Sequence, residues 1–313
     1  MTVQVASPPS RTATRPEQPP TMPKAKAAWS SRALVLPALI VAIVLTQLPF
    51  LITIYYSFQQ WNLLEPGQRS FAWFANYVTV FTQGDMLPSL GATVLITGSS
   101  VILSLVFGMC IALLLNRTFR GRAVARTLLI TPFLIMPAAA SLVWKWAFFD
   151  NNGGIVNWAL HTVGLPAVAW NTDVPVVTII TVLTWQYTPF MMLILLAGLQ
   201  SQSEETLEAA QVDGASPLRI FREITLPHLR QYVELSVLLG SIFMLQVFDP
   251  VQIMTQGTGG TKTLPYLLYE RAFIGLNVGQ AAAYGVIAVI ITIIVATFSL
   301  RLLFRIFKTE GSK

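Results

Sequence analysis

Charge and cysteine are scarce in this chain of 313 residues. A lone cysteine, Cys110, excludes an internal disulfide and any metal cluster built on thiolates. His161 and His228 are the only histidines and stand far apart, which excludes a histidine-rich metal centre. Asp, Glu, Lys and Arg together make up 11% of the residues, against roughly 25% in soluble domains. The sequence offers no cluster of acids, histidines and nucleophiles for catalysis, so the chain is not expected to be an enzyme or to hold a metal or cofactor of its own. The run GTGGTKT at 257–263 has the outline of a phosphate loop, but Thr261 stands where glycine must precede the lysine, Lys262.

What is abundant is apolar. Hydrophobic residues make up 54% of the chain and the mean hydropathy is +0.62. They fall into six uninterrupted stretches, approximately 33–58, 92–115, 127–149, 175–199, 232–255 and 281–304. At 1.5 Å per residue each is long enough to cross about 30 Å of hydrocarbon. The pattern predicts an all-α membrane protein of six transmembrane helices in contact with lipid. The net charge of +6 does not point to nucleic acid, because the basic residues flank the apolar stretches instead of gathering on one soluble face.

Residues 1–30 are rich in proline, with Pro8, Pro9, Pro16, Pro19, Pro20 and Pro23, and read as a disordered cytoplasmic tail. The first apolar stretch comes too late and runs too long for a cleaved signal peptide. The membrane domain is expected at 31–308, with a short tail at 309–313. Arg117, Arg120, Arg122 and Arg126 follow the second stretch and Arg219, Arg222 and Arg230 the fourth, whereas the alternate connections hold only Arg69, Lys262 and Arg271. An excess of positive charge marks the cytoplasmic side, so both termini are expected in the cytoplasm, with the chain crossing the membrane several times.

Pro37, Pro49, Pro132, Pro137 and Pro189 lie within or near the ends of the stretches and predict kinks. Ser100, Ser104, Gly108 and Ala112 recur every fourth residue, a small-residue stripe expected to let another helix approach closely.

Between the fourth and fifth stretches, the segment 201–231 is far longer than a helix connection requires. Ser201 with Glu204 fits a capping box, and Glu204, Glu205 and Glu208 place negative charge where a helix dipole favours it. Gly214 reads as the C-terminal cap of that helix, in a turn that calls for positive φ. Ser216 and Pro217 read as the cap and first position of a second helix at 217–226, carrying Leu218, Phe221, Ile224 and Thr225 on one side. Such a helix suits a groove on a partner or a bed of lipid headgroups, and spacing alone leaves both open.

Glu208, Ala209, Ala210, three residues, Gly214, nine residues, then Ile224, Leu226 and Pro227 match EAA-x3-G-x9-I-x-L-P at every position. The chain therefore resembles the permease subunits of binding-protein-dependent ABC importers. That resemblance implies the type I importer permease fold and a coupling segment in which Glu208, Ala209, Ala210, Asp213, Gly214, Phe221, Ile224, Leu226 and Pro227 engage an ATPase subunit. It also implies a second homologous permease, two ATPase subunits holding the ATP and magnesium, and an extracytoplasmic substrate-binding protein. Phe74, Asn76 and Tyr77, the Arg-Gly-Arg at 120–122 and Phe248-Asp249 resemble the carbohydrate-uptake branch, and 226–240, 263–273 and 278–286 resemble sorbitol and mannitol permeases. The implied cargo is a sugar or sugar alcohol. The competing class is an ion-coupled secondary transporter, which needs a membrane carboxylate and gives no reason for the coupling signature.

Three ionisable residues fall in or beside the apolar stretches. Lys145, between Trp144 and Trp146, is expected to snorkel to the interface, and Glu234 to be solvated at the cytoplasmic end. Asp249 precedes Pro250, so an irregular backbone is expected there. Trp185, Gln186, Tyr187 and Thr188 form a polar aromatic cluster just before Pro189. Sugars call for such a mixture of rings and hydrogen-bonding groups, which makes Trp185, Gln186, Tyr187, Gln246 and Asp249 the candidate substrate pathway. Holding the helices together is the alternative role for the same groups.

Overall fold

A computed structural model of the chain describes the backbone of Lys24–Glu310 and the side chains of 36–295 and Thr297. The chain is mostly helical. In order it forms α1 (Lys24–Ser57), the short strands β1 (Gln59–Gln60) and β2 (Ser70–Phe71), α2 (Ala75–Thr82), α3 (Met86–Asn116), α4 (Arg122–Leu134) and α5 (Pro137–Val143). Then come α6 (Ile155–Thr162), α7 (Trp170–Asp173), α8 (Pro175–Gln200), α9 (Glu204–Val212), α10 (Pro217–Ile220), α11 (Leu226–Leu245), α12 (Leu264–Tyr269) and α13 (Val278–Glu310). Single π turns follow α5 (Trp144–Phe148), α10 (Phe221–Thr225) and α12 (Glu270–Ile274), and another occupies Val251–Thr255.

Contacts divide the chain into a unit ending at Ile52 and a unit from Thr53 onward. The first unit is described as a helix from Lys24, which overlaps the end of the stretch expected as a tail. The lysines and alanines that follow the last proline of the tail favour helix. Residues 1–23 and 311–313 lie outside the described residues, and the C-terminal helix continues to Glu310, into the stretch expected as a tail.

The second unit is a packed bundle. Among the described residues of the two units, four helical stretches are long and apolar enough to cross a membrane: 36–57 within α1, most of it in the first unit, and α3, α8 and 278–295 within α13. A fifth crossing arises if α4 and the Pro137–Phe148 stretch count as one span broken by a bend of 99°. The break falls at Ile135 and Met136, where Pro137 opens the next helix and has no N–H to continue the previous one. The six uninterrupted spans expected from the apolar stretches are therefore not found among the described residues. The fifth, 232–255, is two pieces. Its helix, α11, begins at Leu226 and carries Arg230 and Glu234; it ends at Gln246, and the π turn Val251–Thr255 starts afresh after Pro250.

Helices α3 and α8 run side by side in the same direction, and α11 returns between them. Ala112, Leu115, Leu199 and Leu229 share one apolar cluster at one end. At the other end Thr97 donates to the carbonyl of Met244. The small-residue stripe does what its spacing suggests: Ser100, Ser104, Gly108 and Ala112 are all buried, and a Cβ on Gly108 would lie 2.9 Å from Cβ of Met191. The two backbones approach as closely as that absence of side chain allows.

Candidate functional site

The coupling segment folds as a cap, a turn and a second helix. Ser203, not Ser201, caps α9, its Oγ accepting from the N–H of Thr206 at 3.4 Å. The reason is backbone shape: Ser203 is extended, as a cap must be, while Ser201 is still helical at the end of α8. Ser201 is spent elsewhere. Its hydroxyl donates to the carbonyl of Gly198 at 2.8 Å and lies 2.9 Å from the hydroxyl of Tyr232 and 3.1 Å from Nε2 of His228. Gly198 makes this junction possible, since a Cβ there would sit 2.6 Å from the Tyr232 ring. The root of the segment is thus clamped to the start of α11, a link sequence reasoning missed because its partners stand 27 and 31 residues away.

At the far end of α9 the chain makes a complete Schellman turn. The N–H of Ala215 reaches the carbonyl of Ala210 and that of Gly214 reaches Gln211, both at 3.0 Å, with Gly214 at φ +78°. Asp213 is the residue at which the helix ends. Ser216 then caps the next helix with Pro217 at its first position. That helix is not separate, as 217–226 had suggested, but runs through the π turn Phe221–Thr225 into α11.

Glu208, Ala209, Asp213 and Gly214 are exposed, Ala210, Phe221, Ile224 and Leu226 half-buried, and Pro227 exposed at the start of α11. Val212 and Leu218, on either side of the glycine turn, are 88% and 76% exposed. Two large aliphatic side chains held out by a rigid turn form a surface suited to another protein.

The membrane candidates divide. Gln186, Tyr187, Gln246 and Asp249 line one small cavity of about 80 Å³, together with Pro137 and Pro250. Trp185 is not among them. It turns to the other side of α8, lining an apolar groove of about 570 Å³ with Leu103, Phe107 and Pro132, and meets Trp144 edge to face at 5.6 Å. Successive residues on a helix turn by about 100°, so a cavity reached from between Gln186 and Tyr187 lies on nearly the opposite side of α8 from Trp185.

Gln186 is 3% exposed; its Nε2 donates to the carbonyl of Ile135 at 3.0 Å, and its Oε1 has no partner. The carbonyl it meets lies at the break between α4 and α5, outside the helical ladder. The cavity is therefore walled by two interruptions, the one at Ile135–Met136 and the one after Gln246.

The two other ionisable residues have partners that the sequence did not name. Lys145 donates from Nζ to the carbonyl of Ile253 at 2.6 Å. Glu234 is not freely solvated but is a half-buried partner of Arg230, at 2.8 Å one helical turn away.

Residues 28–309 match the family described as binding-protein-dependent transport system inner membrane component. A probable ABC transporter permease of Sinorhizobium fredii is 33% identical over 87% of this chain and 88% of its own length. A trehalose transport system permease of Mycobacterium tuberculosis is 32% identical over 85% of this chain and 87% of its own. A chain of a bacterial alginate ABC transporter, solved in complex with an alginate-bound periplasmic protein, superposes with a TM-score of 0.75 at 23% identity, over 90% of this chain and 96% of that one.

Proposed function

We propose that this chain, which belongs to the family of binding-protein-dependent transport system inner membrane components, is the permease subunit of an ATP-binding-cassette importer for a carbohydrate. The observation that carries the reading is the coupling segment: a Schellman turn at Gly214 with Val212 and Leu218 held into solvent beside it. The reading as an ion-coupled secondary carrier gives no reason for such a surface. Docked against an ATPase subunit, it would transmit that partner's closure through the Ser201–Tyr232 clamp into α8 and α11.

The same reading gives the chain a second, homologous permease as pore partner, two ATPase subunits that hydrolyse ATP, and a periplasmic binding protein that delivers the cargo. Both termini lie in the cytoplasm of this reading, on the side of the basic connections after α3 and α8. The sixth crossing is α11 with the Val251–Thr255 turn, an interrupted span whose break is tolerated because it lines a cavity instead of lipid.

Gln186, Tyr187, Gln246 and Asp249 form this subunit's half of a transient substrate site. Their cavity is too small for a sugar ring, so transport requires the two interruptions to move apart. The cargo is a sugar or sugar alcohol: a trehalose permease is among the relatives, and 226–240, 263–273 and 278–286 resemble polyol permeases. Uptake into vesicles containing the whole complex tests the function. Accumulation of trehalose, maltose, sorbitol or mannitol should require ATP and the binding protein and survive a proton uncoupler. Loss of uptake with the uncoupler while ATP remains would refute it.

A further inference from the structure

A second cavity lies at the end of the bundle away from the coupling segment. It measures about 290 Å³ and is lined by Trp61, Glu65, Gln68, Asn76, Asn277 and Gln280, among others. Its position follows from topology. Helices α3, α8 and α13 all start at this end, where Asp85 pairs with Arg271 and Leu264 donates its N–H to Thr93, while α3 and α8 run from here toward the coupling segment.

The walls are built, not incidental. Asn76, buried at the start of α2, donates from Nδ2 to the carbonyls of Ser57 and Gln59 at 2.9 and 2.8 Å. The N–H of Gly279 donates to the carbonyl of Trp61 at 3.2 Å, and that of Leu63 to Leu276 at 2.9 Å. Gly279 lies so close to β1 that a Cβ there would fall 2.0 Å from the carbonyl oxygen of Gln59. Arg69 fixes the indole of Trp61, its guanidinium 4.3 Å from the ring centroid while it donates to Gln59 at 3.1 Å. Leu276, next to the lining residue Asn277, is held at φ +49°, a left-handed conformation that costs a branched side chain energy and that the surrounding bonds must impose.

Along this frame Glu65 and Gln68 are exposed and Gln280 is half-buried, so their polar groups are open to solvent. The carboxylate of Glu65 and the carboxamides of Gln68 and Gln280 have no hydrogen-bond partner among the described residues. Amides offer donor and acceptor together, a carboxylate accepts two hydroxyls, and an indole covers apolar carbon, the combination that recognises a ring bearing many hydroxyl groups. The volume is at the small end of the roughly 300–1,000 Å³ of ligand pockets, which suits one sugar unit. Among the described residues, Glu65 is the only charged one lining it, which disfavours an anion. We propose that this pocket is a binding site for a neutral, hydroxyl-rich solute of about one sugar ring, separate from the cavity of Gln186 and Asp249. It would hold cargo at the mouth of the pathway before it enters the membrane.

Ala75 lines the same pocket and is exposed. With Cys110 replaced by Ser, Ala75→Cys leaves this chain a single thiol, whose modification is read by mass on this chain after the whole complex is reconstituted in nanodiscs without binding protein. Glucose, sorbitol or trehalose should slow its modification by a neutral thiol reagent, by about tenfold at saturation, whereas glycine betaine at equal osmolarity should not. Adding Glu65→Ala and Gln280→Ala should remove the protection while the complex stays assembled. Absence of protection by all three solutes overturns the proposal, as does protection that persists in the Glu65/Gln280 variant. Protection seen only when binding protein is added also overturns it, and would make the pocket a protein seat.

Discussion

Nζ of Lys145 donates a hydrogen bond of 2.6 Å to the carbonyl of Ile253, tying the π turn at the end of the broken span to the π turn that follows Pro250. Both turns leave carbonyls without helical partners, and a cation is the strongest donor available to one of them. Lys145→Met should therefore destabilise the purified complex by about 2 kcal/mol, read as a lower thermal midpoint, with Lys145→Arg recovering most of the loss. A midpoint unchanged in Lys145→Met would mean that the bond carries no weight.

Gly214 sits at φ +78° with open space where a Cβ would go. The cost of a side chain there is conformational and not steric. Gly214→Ala should cost about 1 kcal/mol in the turn and Gly214→Asn less, because asparagine tolerates the left-handed region. Gly214→Asp should leave the protein in the membrane at normal levels yet abolish coupled uptake. Immunoblotting of membranes beside transport rates separates the two effects.

The partition of residues around α8 makes a prediction that neighbouring positions alone would not. Gln186→Ala, Tyr187→Ala, Gln246→Ala and Asp249→Ala should each lower uptake with complex assembly retained, since all four face the small cavity. Trp185→Ala should act through packing against Trp144 instead, lowering stability more than it changes the apparent affinity for cargo. Normal uptake in all four cavity variants would discard the assignment.

Local signals were the legible ones. Glycine after α9, Ser216 before Pro217, and the small residues facing α8 each act within a turn or two of helix, and each is found as its pattern implies. Choosing between Ser201 and Ser203 as a cap was beyond the pattern, because the choice depends on where α8 stops. Hydropathy also overran the break after Gln246: apolar composition continues across it, while the backbone is interrupted ahead of Pro250. The partner of Lys145 is hidden for a different reason. That partner, Ile253, is 108 residues away and offers only a carbonyl, which no side-chain pattern can reveal. Gln186 and Ile135, 51 residues apart, were brought together by the same kind of hidden contact.

The exposed turn between α9 and α10 is expected to fit into an ATP-hydrolysing subunit. Cysteines at Val212 or Leu218, in a chain carrying Cys110→Ser, can be treated with a short bifunctional reagent in membranes that hold the complete transporter. Crosslinks to the ATPase subunit, with yields that change when ATP is added, are the expected result. Crosslinks to lipid-facing probes or to no ATPase at either position would contradict it.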